Sequence, residues 1–164
     1  MSVETGSAEA GSAQTGGAHT GSGTAYLDTS ALAKWYVNER GSERFVAYVQ
    51  ALDSAAISSL TCAEMRSLFA RRRRMGDFDA ALEAVLFSAF LDDIASGALL
   101  LHPMDDARFN DAVNLIGRYP EHPLRTLDAL HLSVVRHLGI DTVATADAVM
   151  ADAARSMGFV VDQF

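Results

Sequence analysis

Asp28, Glu64, Asp128 and Asp147 are the residues of this chain whose types and placement could do chemistry together. Each stands where an apolar run gives way to a helical pattern. Asp28 closes Ala25-Tyr26-Leu27, Glu64 follows the weak apolar run Ala55-Ala56-Ile57, Asp128 opens the stretch ending at Leu138, and Asp147 follows Ile140 to Ala144. Carboxylates packed within several Å repel one another, which raises their pKa values unless a cation sits among them. Oxygen donors without a Cys or His cluster suit Mg²⁺ or Mn²⁺ better than Zn²⁺. Each acid alone has a plainer reading: Thr61-x-x-Glu64 fits a capping box, and Asp128 and Asp147 follow Thr126 and Thr145 at helix starts. Taken as a set, they point to a divalent-cation site.

Acids this far apart in sequence meet only if the elements between them bring them to one edge. Ser30 is a good N-cap for the helix suggested by Leu32, Trp35 and Tyr36, and Gly41-Ser42 restarts a helix through Phe45, Val46, Val49 and Leu52. After a buried strand at 55–59, Thr61 opens a long helix carrying Met65, Leu68 and Phe69 and ending at Gly76, with Glu64 in its first turn. A second helix spans about 78–94, because Leu82, Val85, Leu86, Phe90 and Ile94 recur at helical spacing. A third strand at 97–101 precedes a helix with Phe109, Val113 and Ile116. Leu127, Leu130, Val134 and Leu138 then form one helical face ending at Gly139. A fourth strand at 140–144, a helix over 145–157 and a short strand at 159–161 complete the chain. Strand and helix alternate throughout, which predicts a parallel sheet with helices on both faces. In such a sheet the strand C-termini and helix N-termini share an edge, and all four acids fall there.

Length and charge narrow the class. The 164 residues, 49% of them hydrophobic, suffice for one domain with a real core. A net charge of −8 excludes holding nucleic acid by bulk electrostatics, so any such contact must be local. A single cysteine, Cys62, rules out an intrachain disulfide and fits a reducing compartment. With no apolar run long enough to span a bilayer and no basic-then-apolar leader, a cytoplasmic protein without membrane contact is expected. Residues 1–23 are almost entirely Gly, Ser, Ala, Thr and Gln and are expected to form a disordered tail before one domain over 24–164.

Four stretches carry a resemblance. Tyr26-Leu27-Asp28-Thr29-Ser30-Ala31-Leu32, Ala63-Glu64-Met65, Leu124-Arg125-Thr126-Leu127-Asp128-Ala129-Leu130-His131-Leu132 and Ala144-Thr145-Ala146-Asp147 resemble the PIN domain, most closely the VapC-type toxins of type II toxin–antitoxin pairs. The similarity covers about residues 25 to 162. It implies an α/β fold, a three-layer α/β/α sandwich with a central, mainly parallel five-stranded sheet. It also implies a Mg²⁺- or Mn²⁺-dependent endoribonuclease, an RNA substrate, a cognate antitoxin and a homodimer. Asp28, Glu64, Asp128 and Asp147 fall on the family's acidic positions, and Ser30 and Thr126 on the polar residues beside them. On this reading Asp28 and Asp128 are the main metal ligands and Asp147 joins them, although Asp152 lies close enough in sequence to compete for that place. Glu64 is a ligand or orients water, and the cleaved ends are a 5′-phosphate and a 3′-hydroxyl.

Other residues invite weaker readings. Arg71, Arg72, Arg73 and Arg74 form the densest basic patch, a candidate RNA or antitoxin contact, though consecutive residues on a helix point different ways and a solvated face explains them as well. Glu39 falls where many of the toxins that the chain resembles also carry an acid after the first helix, which implies a place beside the site, while its surroundings read more simply as a turn. His131, one turn after Asp128, reads as a packed or hydrogen-bonded core histidine, and Cys62 has no evident base partner. The helices around Trp35, Phe87 and Phe90 offer more apolar surface than one small sheet can readily cover, which also points to a homodimer. Two other functions compete. A non-catalytic PIN-like binding scaffold would tolerate loss of an acid, and none is missing. An aspartyl-phosphate enzyme built on Asp28 would want a second acid two residues on, where Ser30 stands.

Overall fold

The structure is a computed structural model that describes residues 23–164. The tail expected over 1–23 lies, apart from Gly23, outside them.

Asp28 shows how local chemistry starts an element. Strand β1 (Thr24–Leu27) ends at this residue, whose carboxylate accepts from the Ser30 backbone N–H at 3.3 Å and so caps helix α1 (Thr29–Tyr36). The cap is therefore Asp28 and not Ser30, which lies inside the first turn. Helix α2 (Ser42–Gln50) returns the chain to strand β2 (Ser54–Ser58). Helix α3 (Ser59–Met75) follows without a break, because the Ser58 and Thr61 side chains cap its start reciprocally. This places Glu64 in the second turn of α3, one turn later than expected. Gly76, at φ 84°, supplies the left-handed residue that ends it.

Helix α4 (Ala80–Ala95), capped by Asp79, leads to strand β3 (Leu99–His102), and helix α5 (Asp106–Arg118), capped by Asp105, to helix α6 (Thr126–Leu138). Strand β4 (Thr142–Thr145), helix α7 (Ala148–Ser156) and strand β5 (Val160–Gln163) close the chain. Thr145 pairs with Gln163 in the sheet and so belongs to β4, not to the helix assigned to it from sequence.

All five strands are parallel, in the order β3-β2-β1-β4-β5. Successive strand residues face opposite layers. Ala25, Leu27, Ala55, Ile57 and Ala144 join Leu32, Phe45, Phe69 and Phe90 in a core beneath α1 to α4. Tyr26, Ala56 and Val143 join Leu115, Leu132, Val134, Val135 and Met150 in a second core beneath α5 to α7. The expected three-layer sandwich follows, with a sheet that is wholly rather than mainly parallel. Phe90 is fully buried, Trp35 and Phe87 are half-buried against the first core, and α4 keeps Leu82, Val85 and Leu91 exposed. Among the described residues no helix is long and apolar enough to cross a membrane.

The strand order reverses direction between β1 and β4. Chain growth runs outward from β1 through β2 to β3, then returns to the other side of β1 with β4. Open parallel sheets bind ligands in the crevice beyond the strand C-termini at such a switch point. Leu27 pairs with Ala144 there, and the Asp28 N–H donates to the Ala144 carbonyl at 2.9 Å, so the residues following both strands face the same crevice.

Candidate active site

Asp28 is 6% exposed, and its Oδ2 accepts from the Thr145 hydroxyl at 2.8 Å and from the Ser30 hydroxyl. Ser30 in turn accepts from the Ala146 backbone N–H at 2.9 Å, tying α1 to the end of β4. Asp28 Oδ1 has a looser neighbour, His131 Nε2 at 3.5 Å.

Glu64 reaches the cluster from the second turn of α3. Its Oε2 accepts from the Thr29 hydroxyl at 2.5 Å and from His131 Nε2 at 2.7 Å. Among the described residues its Oε1 holds no hydrogen bond. His131 projects from α6, one turn beyond Asp128, and is 1% exposed. Its Nδ1 lies 2.7 Å from the Tyr26 hydroxyl, which donates its own proton to Ser58 Oγ at 2.9 Å. Tyr26 therefore has only lone pairs for Nδ1, while Nε2 faces carboxylate oxygens. Both ring nitrogens must donate, which makes His131 an imidazolium. Burial works against that charge, but the contacts with Tyr26, Glu64 and Asp28 prevail and its pKa is pushed up to about 10. Burial likewise favours neutral Glu64. Its hydrogen bonds from His131 and Thr29 and the charges of His131 and Arg125 outweigh that and hold its pKa below the ordinary carboxylate value.

Asp128 and Asp147 are joined by one arginine. Asp128 is 6% exposed, and its Oδ2 accepts from the Arg125 backbone N–H at 3.1 Å and from Arg125 Nε at 2.9 Å. Arg125 Nη2 donates to Asp128 Oδ1 at 3.2 Å and also to Asp147 Oδ2. Asp147 Oδ1 caps α7 through the Met150 N–H at 3.0 Å. The two carboxylates raise the Arg125 pKa further above its ordinary value.

The structure thus links Asp28 to Glu64 through His131 and Asp128 to Asp147 through Arg125, with Thr145, which donates to Asp28 and accepts from the Asp147 N–H at 3.0 Å, between the two pairs and Ser30 beside Asp28. Thr126 is exposed and bonds none of the acids among the described residues. Asp152 pairs with Arg155 at 2.9 Å, while Asp147 shares Arg125 with Asp128. Glu39 stands apart, since its carboxylate pairs with Lys34 at 3.1 Å and Arg72 at 2.5 Å. The arginine run divides: Arg72 pairs with Glu39 and Asp77, Arg73 joins Arg66 on the buried Glu83 of α4, and Arg71 and Arg74 are exposed without an ion pair among the described residues. Burial raises the Cys62 thiol pKa, which removes any thiolate reading.

Sequence reasoning missed the counter-charges. The mutual repulsion of the acids is met here by His131, three residues after Asp128 on the same face of α6, and by Arg125, three residues before it at the helix N-cap. That i±3 spacing was the available signal. Among the described residues no three His, Cys, Asp or Glu side chains stand together as a ready metal cage. The donor set nonetheless suits Mg²⁺ or Mn²⁺, being all oxygen, and the guanidinium between Asp128 and Asp147 marks a place where a cation is held.

Comparisons with known proteins identify the fold and the family. Over 140 residues the chain is 32% identical to ribonuclease VapC46 of Mycobacterium tuberculosis, a match covering 83% of this chain and 94% of that protein. Two crystal structures share the fold: the sarcin–ricin-loop-cleaving toxin VapC20 of M. tuberculosis, at 19% identity and TM-score 0.63, and FitAcB of Neisseria gonorrhoeae, at 21% identity and TM-score 0.63. The first covers 83% of this chain and 96% of its own, the second 84% and 95%. The PIN-domain family profile matches residues 25–156, a span that starts within β1 and closes at the end of α7, and this chain belongs to the PIN-domain family.

Proposed function

We propose that this protein is a metal-dependent endoribonuclease acting in the cytoplasm as the toxin of a type II toxin–antitoxin pair, with RNA as substrate, a cognate antitoxin as partner and a homodimer as its working form. The reading is carried by the match to the PIN-domain family and to a ribonuclease, supported by Asp28 and Asp147 meeting through Thr145 at the β1/β4 switch point. Asp28, Asp128 and Asp147 would hold Mg²⁺ or Mn²⁺, and Ser30 and Thr145 orient Asp28 through its Oδ2. A cation held there supplies charge neutralisation at the scissile phosphate and acidifies water.

Glu64 has a separate part. Its Oε2 is fixed by Thr29 and by the His131 imidazolium, which leaves Oε1 to accept from an attacking water. A carboxylate whose pKa is held down is a weak proton acceptor and a good orienting group, so Glu64 aims the water more than it deprotonates it. The binding-scaffold alternative has no observation in its favour, since no acid of the set is missing.

Mn²⁺ titration, RNA cleavage and thermal melting of Asp28→Asn and Asp128→Asn test the reading. Both variants should fold, lose Mn²⁺ binding and lose cleavage. Full Mn²⁺ binding and cleavage in Asp128→Asn would refute the shared site and leave Asp128 as a helix-start residue.

A further inference from the structure

An RNA strand approaching this site meets four carboxylates on a protein of net charge −8, so a cation at the rim must receive its phosphates. Among the described residues two cationic side chains touch the acids. His131 is buried and committed on both ring nitrogens, so it cannot reach a strand. The Arg125 side chain is 67% exposed and lies at the mouth of the cluster. Its fork grips Asp128 through Nε and Nη2, and Nη2 also reaches Asp147. These are two of the carboxylates assigned above to a divalent cation, and a planar guanidinium that fits a carboxylate also fits a phosphate. Helix α6 does not need this grip, because the Arg125 backbone N–H is satisfied by Asp128 Oδ2 without the guanidinium.

We propose that Arg125 alternates between two partners: the Asp128–Asp147 pair in the metal-free protein, and a backbone phosphate of bound RNA once a divalent cation takes those carboxylates. The proposal rests on the ribonuclease reading above. Guanidinium and metal compete for the same oxygens, so loading the metal frees a cation at the point where the strand must pass. Binding of RNA, by drawing Arg125 away, raises metal affinity by the same factor that metal raises RNA affinity.

Two measurements on wild type, Arg125→Gln and Arg125→Lys test it. In calorimetric Mn²⁺ titrations without RNA, Arg125→Gln should bind Mn²⁺ about tenfold more tightly than wild type. Arg125→Lys, which keeps the charge and loses the fork, should fall between them; a lysine variant identical to wild type would mean general charge and overturn the exchange of partners. In Ca²⁺, the anisotropy of a short fluorescein-labelled single-stranded RNA should show weaker binding to Arg125→Gln and a salt slope shallower by about 0.7. Unchanged or weaker Mn²⁺ binding in Arg125→Gln, or unchanged RNA affinity and slope, overturns the proposal. Should Arg125→Gln fail to fold, the lysine variant carries both measurements. Failure of the underlying reading looks different: wild type would bind no Mn²⁺, or Asp28→Asn would bind it undiminished.

Discussion

Replacing His131 by Gln is the most informative single perturbation of this fold. The imidazolium is 1% exposed and bonds Glu64 at 2.7 Å and Tyr26 at 2.7 Å, with Asp28 Oδ1 at 3.5 Å. Glutamine can still donate to Glu64, but it cancels the positive charge and abandons Tyr26. Breaking a buried ion pair by removing one partner costs about 3–5 kcal/mol, and the 20% exposure of Glu64 places this case at about 3 kcal/mol. For a chain of this size that is a fall of roughly 6–12 °C in melting temperature. The pair also has a pH signature. A histidine whose pKa is raised from 6.5 to about 10 contributes stability that is fully present below pH 6.5 and is lost as pH rises through about 10. Glu64, shifted down from 4.5, contributes above that pH and loses its share as pH falls through its depressed value. Melting curves in chelator, from neutral to alkaline pH, should show wild type losing stability along a slope that His131→Gln lacks. Adding Glu64→Gln should cost less in the His131→Gln background than in wild type, by about 1 kcal/mol or more. A His131→Gln protein that melts within about 2 °C of wild type, or that keeps the wild-type alkaline slope, refutes the buried imidazolium.

The remaining predictions concern the tail and the assembly. Deleting residues 1–22 should leave melting temperature and metal-dependent cleavage unchanged, since a Gly/Ser/Ala/Thr composition offers no core contacts; a fall of several degrees would show otherwise. The homodimer should form through the exposed α5 face of Phe109, Val113 and Ile116, at 51%, 70% and 39% exposure, so light scattering should give two chain masses for wild type and one for Val113→Glu. One chain mass for wild type at micromolar concentration removes the claim.

The layers of this fold were legible because the sequence repeats its message at two periods. Leu130, Val134 and Leu138 recur along α6 at helical spacing, and Tyr26 between Ala25 and Leu27 alternates across the sheet. Boundaries were less legible, because several side chains compete to cap. Asp28 takes the place given to Ser30, and Ser58 with Thr61 starts α3 early enough to move Glu64 a turn inward. The partners of the acids were least legible of all. Tyr26 and His131 are 105 positions apart and His131 and Glu64 are 67 apart, so no local pattern couples them. The arginine run shows the same limit from the other side, since its meaning changed once α4 brought Glu83 under Arg66 and Arg73.

Asp28 and Asp147 each serve two ends at once. Asp28 caps α1 with the Oδ2 that also receives Ser30 and Thr145, and Asp147 caps α7 with Oδ1 while turning Oδ2 to Arg125. A helix cap fixes where a carboxylate sits and which oxygen it spends on the backbone, and so which oxygen remains to face the crevice. The helix-start role and the proposed cation-binding role are then compatible and not rivals. The arrangement also dictates the choice of substitution. Alanine removes cap and charge together, and the loss of a helix start, about 1 kcal/mol, would blur any effect on metal. Asparagine can keep the cap through its amide oxygen while it removes the charge and the acceptor facing His131, so activity lost in Asp28→Asn at unchanged melting temperature can be assigned to the carboxylate and not to the helix start.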